Sequence, residues 1–272
     1  MKARLRPLLA PVLRLLVLLL VAVLALQLYF VARIALMAVL APESTAFQRS
    51  EIYRVTRSTG SLKWRQQWVP SAQISVNLKR AVIASEDASF TEHDGLDLEA
   101  LEKAWEKNAV AEARAKKAAD RLAAQAARQG KKTSAAAPSP PVAAKAAKPA
   151  KIIGGSTITQ QLAKNLFLSG ERTLLRKGEE LVLTLMLESM LSKQRILEIY
   201  LNSVEWGEGV FGAEAASQHY FRKPASRLSP YEAARLAVML PRPRYFETRP
   251  NSDYLATRAN VIVARMGGVD VP

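Results

Sequence analysis

Gly154-Gly155-Ser156-Thr157-Ile158-Thr159-Gln160-Gln161-Leu162-Ala163-Lys164-Asn165 is the stretch on which the reading of this chain turns. The paired glycines loosen the backbone, and Ser156 is a good N-cap. Ile158, Leu162 and Leu166 then recur at i, i+4 spacing, the stripe of a helix packed on one side. Thr157, Gln160, Gln161 and Lys164 lie off that stripe, and all are hydrogen-bonding groups. A helix N-terminus with open N–H groups and a lysine two turns in favours an anion. Taken alone, the glycines and Lys164 read better as an ordinary capped helix with a polar outer face.

The stretch has company. Ser85-Glu86-Asp87-Ala88-Ser89-Phe90-Thr91-Glu92-His93-Asp94-Gly95 lies upstream, and Arg176-Lys177-Gly178-Glu179-Glu180 downstream. In this order, behind an apolar N-terminal run, the three segments resemble the monofunctional biosynthetic peptidoglycan transglycosylases, the glycosyltransferases that polymerise lipid II. The resemblance runs from about Pro70 to about Met266 and is broken by one insertion. It implies a mainly α, lysozyme-like domain with a larger head lobe and a smaller membrane-touching jaw, preceded by one transmembrane helix.

Glycan polymerisation from a lipid pyrophosphate needs a base for a sugar hydroxyl and cations for the leaving group. A free glutamate, with a pKa of about 4.3, is a weak base at neutral pH, so a useful one must be raised. Adjacent Asp87 and burial at the end of an apolar helix both push Glu86 that way. By the resemblance, Glu86 deprotonates the 4-hydroxyl of the acceptor GlcNAc, which attacks C1 of the donor MurNAc with inversion and releases undecaprenyl pyrophosphate. Lys164, Arg172, Arg176 and Lys177 are the candidate pyrophosphate cations, arginine as a bidentate fork and lysine as a point charge. The resemblance implies a second acidic residue in the site, and within Arg-Lys-x-x-Glu this is Glu180, positioning the donor-binding cations or a divalent ion; a surface ion pair with Arg176 at i, i+4 is its plain alternative. Asp87, Phe90, Thr157, Gln161 and Asn165 complete the substrate-binding set, with Phe90, His93 and Gly95 also shaping the loop that holds Glu86. A divalent cation, Mg or Mn, bridging the pyrophosphate is expected, with no protein ligand assigned and no organic cofactor. A zinc site at His93 is disfavoured by a total of 2 histidines.

The address follows from hydropathy and charge. Leu15 to Ala32 is an uncharged apolar run, and at ~1.5 Å per residue it covers ~27 Å of a ~30 Å hydrocarbon core. Arg33 interrupts it, with its head snorkelling toward one interface, and Ile34 to Leu40 continues it. The run is too long for a cleaved signal peptide, whose apolar core is ~7–15 residues. Lys2, Arg4, Arg6 and Arg14 precede it, so the N-terminus is expected in the cytoplasm and the catalytic domain in the periplasm, on the bacterial inner membrane. The net charge of +15 is concentrated, with +9 in residues 107–151 and +4 in residues 1–14. The remaining body is nearly neutral, which argues against nucleic acid as a partner.

Five segments are expected: a basic N-terminus (1–14), the transmembrane helix (15–40), a connector with strand-like pieces such as Glu51 to Thr56 (41–70), and the glycosyltransferase domain (71–272), interrupted by a flexible basic insertion (107–151). Within the insertion Ala109 to Gln129 has helix-forming composition, while Pro138, Pro140, Pro141 and Pro149 break any helix further on. Contact with anionic lipid headgroups and a tolerated solvated loop are both open for it. Leu181 to Leu191 reads as a helix buried nearly all round. Expected partners are lipid II, the growing glycan, membrane lipids and other cell-wall synthesis proteins. Neither Ser-x-x-Lys nor Lys-Thr-Gly occurs, so no transpeptidase activity is expected. Two other functions compete: a lysozyme-like glycan-cleaving enzyme with Glu86 as acid and Glu180 as second carboxylate, and a non-catalytic membrane-anchored cell-wall scaffold.

Overall fold

A Thr-x-x-Gln box opens the first helix of the body. Thr45 accepts from the Gln48 backbone N–H, and the Gln48 side chain accepts from the Thr45 N–H, so two orphan donors of the first turn are satisfied reciprocally. Gly60, at φ 67°, closes the same helix. The expected strand-like piece at Glu51 to Thr56 therefore lies inside a helix, because its two end signals outweigh the β-branched residues between them.

The computed structural model describes residues 6–132, 155–168 and 173–272. Gly154 and Arg172 lie outside them, as does the proline-rich part of the basic insertion. The helices are α1 (Arg6–Met37), α2 (Ala46–Thr59), α3 (Val76–Glu86), α4 (Leu98–Lys132), α5 (Ile158–Phe167), α6 (Leu174–Met190), α7 (Lys193–Ser203), α8 (Ala213–Phe221), α9 (Pro230–Met239), α10 (Pro243–Glu247) and α11 (Asp253–Arg265). A small sheet of β1 (Arg65–Gln66), β2 (Glu205–Gly207) and β3 (Val210–Phe211) has the order β1-β3-β2. β1 runs parallel to β3 with Arg65 opposite Val210, and β2 runs antiparallel to it with Glu205 opposite Phe211.

The chain divides into two compact units, residues 97–156 and the remainder. In the smaller unit α4 continues unbroken to Lys132, where the sequence suggests a flexible insertion from 107. Alanine, lysine, arginine and glutamine all carry little helix penalty, so nothing stops the helix there. Gly155 sits against α4: a Cβ on it would meet the Ala104 Cβ and the Leu101 Cα at 3.2 Å each. Close approach, more than loosened backbone, accounts for this glycine.

In the larger unit α3 packs on α9, α9 on α11, and α5 on α6, α7 and α2. Leu78, Val82 and Ile83 of α3, Leu162 and Leu166 of α5, Leu183 and Leu187 of α6, Leu236 of α9 and Ile262 of α11 share one buried cluster. α6 is not buried all round. Leu183 and Leu187 are enclosed, but Leu181, Val182 and Leu185 are exposed, so only one stripe at i, i+4 spacing meets the core. Ser229-Pro230-Tyr231-Glu232 forms a capping box with proline at the first helical turn.

α1 contains one stretch long and apolar enough to cross a membrane, Ala10–Met37, with mean hydropathy 2.8. Its last turns are attached to the body. Phe30, Ile34 and Met37 are buried, and Phe30 meets Phe167 edge-on at 5.3 Å. Arg33 does not simply snorkel: its guanidinium lies 5.7 Å from the Phe167 ring centroid and donates to the Tyr29 hydroxyl at 3.1 Å. Arg195 donates to the carbonyls of Met37 and Leu40, both at 2.7 Å, satisfying acceptors at the C-terminal end of α1.

Gly209 adopts φ 71°, and a Cβ there would lie 1.9 Å from the Lys63 carbonyl oxygen in the strand crossing. Gly209→Ala is expected to lower unfolding stability by about 2 kcal/mol or more, measured by denaturant titration.

Candidate active site

The site is built from the end of one helix and the start of another. Glu86 is the last residue of α3, and Asp87 turns the chain out of it at φ −163°, ψ 75°. The Asp87 carboxylate is buried and both of its oxygens are used: Oδ1 meets His93 Nε2 at 2.8 Å, and Oδ2 accepts from the Ile158 backbone N–H at 2.9 Å. Ile158 is the first residue of α5. The anion at this helix N-terminus is therefore the protein's own carboxylate, where the sequence suggests an open anion site. Thr157, not Ser156, is the N-cap, since its hydroxyl accepts from the Gln160 N–H and Gln160 returns the contact.

The loop from Asp87 to Gly95 is tied down at several points. His93 Nδ1 accepts from the Gly95 N–H at 3.1 Å, so the ring carries its proton on Nε2 and donates it to Asp87. Thr157 Oγ1 donates to the Gly95 carbonyl at 2.7 Å, and Lys193 Nζ donates to the His93 carbonyl at 2.5 Å. Lys193 also pairs with half-buried Glu188 at 2.9 Å and lies 4.6 Å from the Phe90 ring centroid. Gly95 adopts φ 86°, and a Cβ on it would approach Thr184 and Glu188 to 2.7 and 2.8 Å. Phe90 is fully enclosed in the core. Of the sequence-derived set, Asp87, Phe90 and Thr157 thus form the frame of the loop.

Glu86 is half-buried. Gln161 Nε2 donates to its Oε2 at 3.0 Å, and the Gln161 Oε1 accepts from the Tyr200 hydroxyl at 2.9 Å. Burial raises the Glu86 pKa above the ordinary carboxylate value; the Asp87 charge adds to the rise, while hydrogen bonds from Gln161 and Ser85 and the Lys164 charge oppose it. Tyr200 is completely buried, and burial holds its hydroxyl protonated, well above the usual phenol range. Lys164 is exposed on α5 one turn beyond Gln161, with half-buried Asn165 beside it.

The second cationic group lies at the start of α6. Glu180 is buried, and its two oxygens take Arg176 Nη1 at 3.1 Å and Lys177 Nζ. Arg176 Nε is buried without a protein partner among the described residues, leaving one guanidinium donor for an acceptor from elsewhere. Tyr200, Lys193 and Glu188 carry no local sequence signal. They reach the site from α7 and the end of α6, and only the packing of those helices on α5 reveals them.

Three further polar side chains are engaged within the fold. Asn202 exchanges both hydrogen bonds with Val69, at 3.0 Å each. Glu205 is held by Arg244, and the Tyr220 hydroxyl donates to the Trp206 carbonyl at 2.8 Å.

A family model described as Transglycosylase matches residues 53–138 and 141–267. A biosynthetic peptidoglycan transglycosylase of Burkholderia thailandensis is 49% identical over 249 residues, covering 92% of this chain and 83% of its own. A protein of the same description from Burkholderia orbicola is 49% identical over 249 residues, with 92% and 86% covered. A third, from Burkholderia pseudomallei, is 48% identical, with 92% and 83% covered.

A carboxyl group whose pKa is raised in the fold binds its proton more tightly folded than unfolded, so it lowers stability as pH rises from the unfolded value through the folded one. Glu86→Gln removes that loss. Its Tm is expected to match wild type below the ordinary carboxylate range and to exceed it increasingly as pH rises to neutral, in thermal melts across pH 3.5–8.

Proposed function

The chain belongs to the transglycosylase family, and from that premise we propose that it polymerises lipid II into β-1,4-linked glycan strands with Glu86 as the general base. One observation carries the reading. On the family-matched segment, a half-buried carboxylate with raised proton affinity stands at the head of a framed loop, within the field of Lys164.

Glu86 takes the proton of the acceptor GlcNAc 4-hydroxyl as that oxygen forms its bond to MurNAc C1. The C1–O bond to the pyrophosphate breaks from the opposite face, the configuration inverts, and undecaprenyl pyrophosphate departs with the bonding electrons. Lys164, Arg176 and Lys177, with Arg172, offset the charge that grows on the leaving group. Arg176 Nε, buried without a partner among the described residues, supports this assignment. Glu180 orients Arg176 and Lys177 through its two ion pairs. That engagement argues against its serving as the second free carboxylate of a glycan-cleaving enzyme.

The protein carboxylates also bear on a divalent cation. Both oxygens of Asp87 and both of Glu180 are already engaged. A Mg or Mn ion taking part is proposed to bind through the substrate's pyrophosphate oxygens, screening their charge. The N-terminal positive charges support a reading with the start of α1 in the cytoplasm and the catalytic body in the periplasm. Exposed Leu181, Val182 and Leu185, on the helix that packs against α1, support contact between the body and lipid.

The test is polymerisation of labelled lipid II by the full chain in detergent with Mg²⁺. Wild type is expected to make lysozyme-sensitive glycan, Glu86→Gln none, and Lys164→Ala to turn over about 10²-fold more slowly with an unchanged melt. Polymer from Glu86→Gln at the wild-type rate would overturn the assignment of the base.

A further inference from the structure

Tyr200 has no role in the chemistry described above, yet it ends a chain of hydrogen bonds that begins at the base. It lies on α7, fully buried, with its hydroxyl 2.9 Å from Gln161 Oε1. The same amide places Nε2 at 3.0 Å from Glu86 Oε2. We propose that Tyr200 is a positioning residue for the glycosyl transfer, holding the Gln161 amide so that its N–H, and never its carbonyl, faces Glu86. The proposal rests on the reading of Glu86 as the base.

The argument is one of donors and acceptors. A primary amide presents a carbonyl at one end and two N–H donors at the other, and a half turn about its terminal torsion exchanges them. Facing a carboxylate, the donor end stabilises the ionised form and the acceptor end opposes it. Gln161 stands between Glu86 and Tyr200, and both contacts act on the same terminal torsion. A neutral phenol has a proton to give, so the amide oxygen turns toward Tyr200 and the amide N–H is left for Glu86. Burial supports this by keeping the phenol protonated throughout the working pH range.

The consequence is a limit on how far the base is raised. Among the described residues the ionisable groups acting on Glu86 are Asp87 in the turn after α3, Lys164 on α5 and Tyr200 on α7. Burial and Asp87 raise the carboxyl; the Gln161 N–H and Lys164 restrain it. With the amide reversed, Glu86 would lose that restraint and face a carbonyl dipole, and a larger fraction would stand protonated, and idle, at neutral pH. The anchoring also fixes one carboxylate oxygen in place on a rigid buried helix, which orients the group toward the acceptor hydroxyl.

The experiment compares pH–rate profiles of lipid II polymerisation for full-length wild type, Tyr200→Phe, Gln161→Leu and the double variant, with Glu86→Gln as reference. Tyr200→Phe is expected to move the acid limb of kcat upward by about one pH unit, to lower kcat at neutral pH, and to leave KM for lipid II within twofold. Gln161→Leu is expected to move the limb likewise, and adding Tyr200→Phe to it to move it no further, since the two act through one contact. A limb unmoved in Tyr200→Phe, or a raised KM with an unmoved limb, overturns the proposal and leaves Tyr200 a packing residue. If Tyr200→Phe does not fold, an unmoved limb in Gln161→Leu overturns it equally. The underlying reading fails separately: polymerisation by Glu86→Gln at the wild-type rate refutes the base itself, whatever Tyr200 does.

Discussion

The buried carboxylate of Asp87 is the joint on which the site depends. One oxygen holds His93 and through it the loop after Glu86; the other closes the first turn of α5, which carries Gln161 and Lys164. A carboxylate at a helix N-terminus meets both an open N–H and the positive end of the helix dipole. Removing one partner from such a buried charged arrangement costs about 3–5 kcal/mol, a large share of a domain's total stability. Glu86 and the helix carrying Lys164 are thus held relative to one another by one buried carboxylate.

α7 carries the other constraints. Along its 11 residues Lys193 reaches the His93 carbonyl, Arg195 the end of α1, Glu198 the Ser71 N–H, Tyr200 the Gln161 amide and Asn202 the backbone of Val69. Burial of Ile196, Leu197, Ile199 and Leu201 fixes this helix in the core. Its polar residues consequently act from a rigid base. Arg195 ties the end of the candidate membrane helix to that base.

Much of this was legible in the residues themselves. The box at Ser229 to Glu232, the end of α3 near Glu86 and the course of α7 follow from caps and apolar spacing, signals that are local. The misreadings have local causes too. Thr45 to Gln48 is a capping box hidden before a β-branched run, so α2 looked like strand. Ser156 and Thr157 are both good caps, and only Gln160 three residues after Thr157 decides between them. Apolar composition alone did not distinguish the buried stripe of α6 from the exposed Leu181, Val182 and Leu185.

The site was legible as a set of residue types but not as a division of labour. Asp87, Phe90 and Thr157 read as substrate groups beside Glu86; the structure adds that Asp87 ties to His93 and Ile158, 6 and 71 residues on, Thr157 to Gly95, 62 residues back, and Phe90 into the core. Tyr200 and Lys193 were invisible because their effect passes through tertiary contacts. The central claim is that this frame raises Glu86 into a working base. The most direct measurement is the acid limb of kcat/KM for lipid II polymerisation by the full-length wild type. The account predicts a single-proton limb centred above the ordinary glutamate value of about 4.3. A limb at or below that value, or a rate that stays flat through it, would contradict the account.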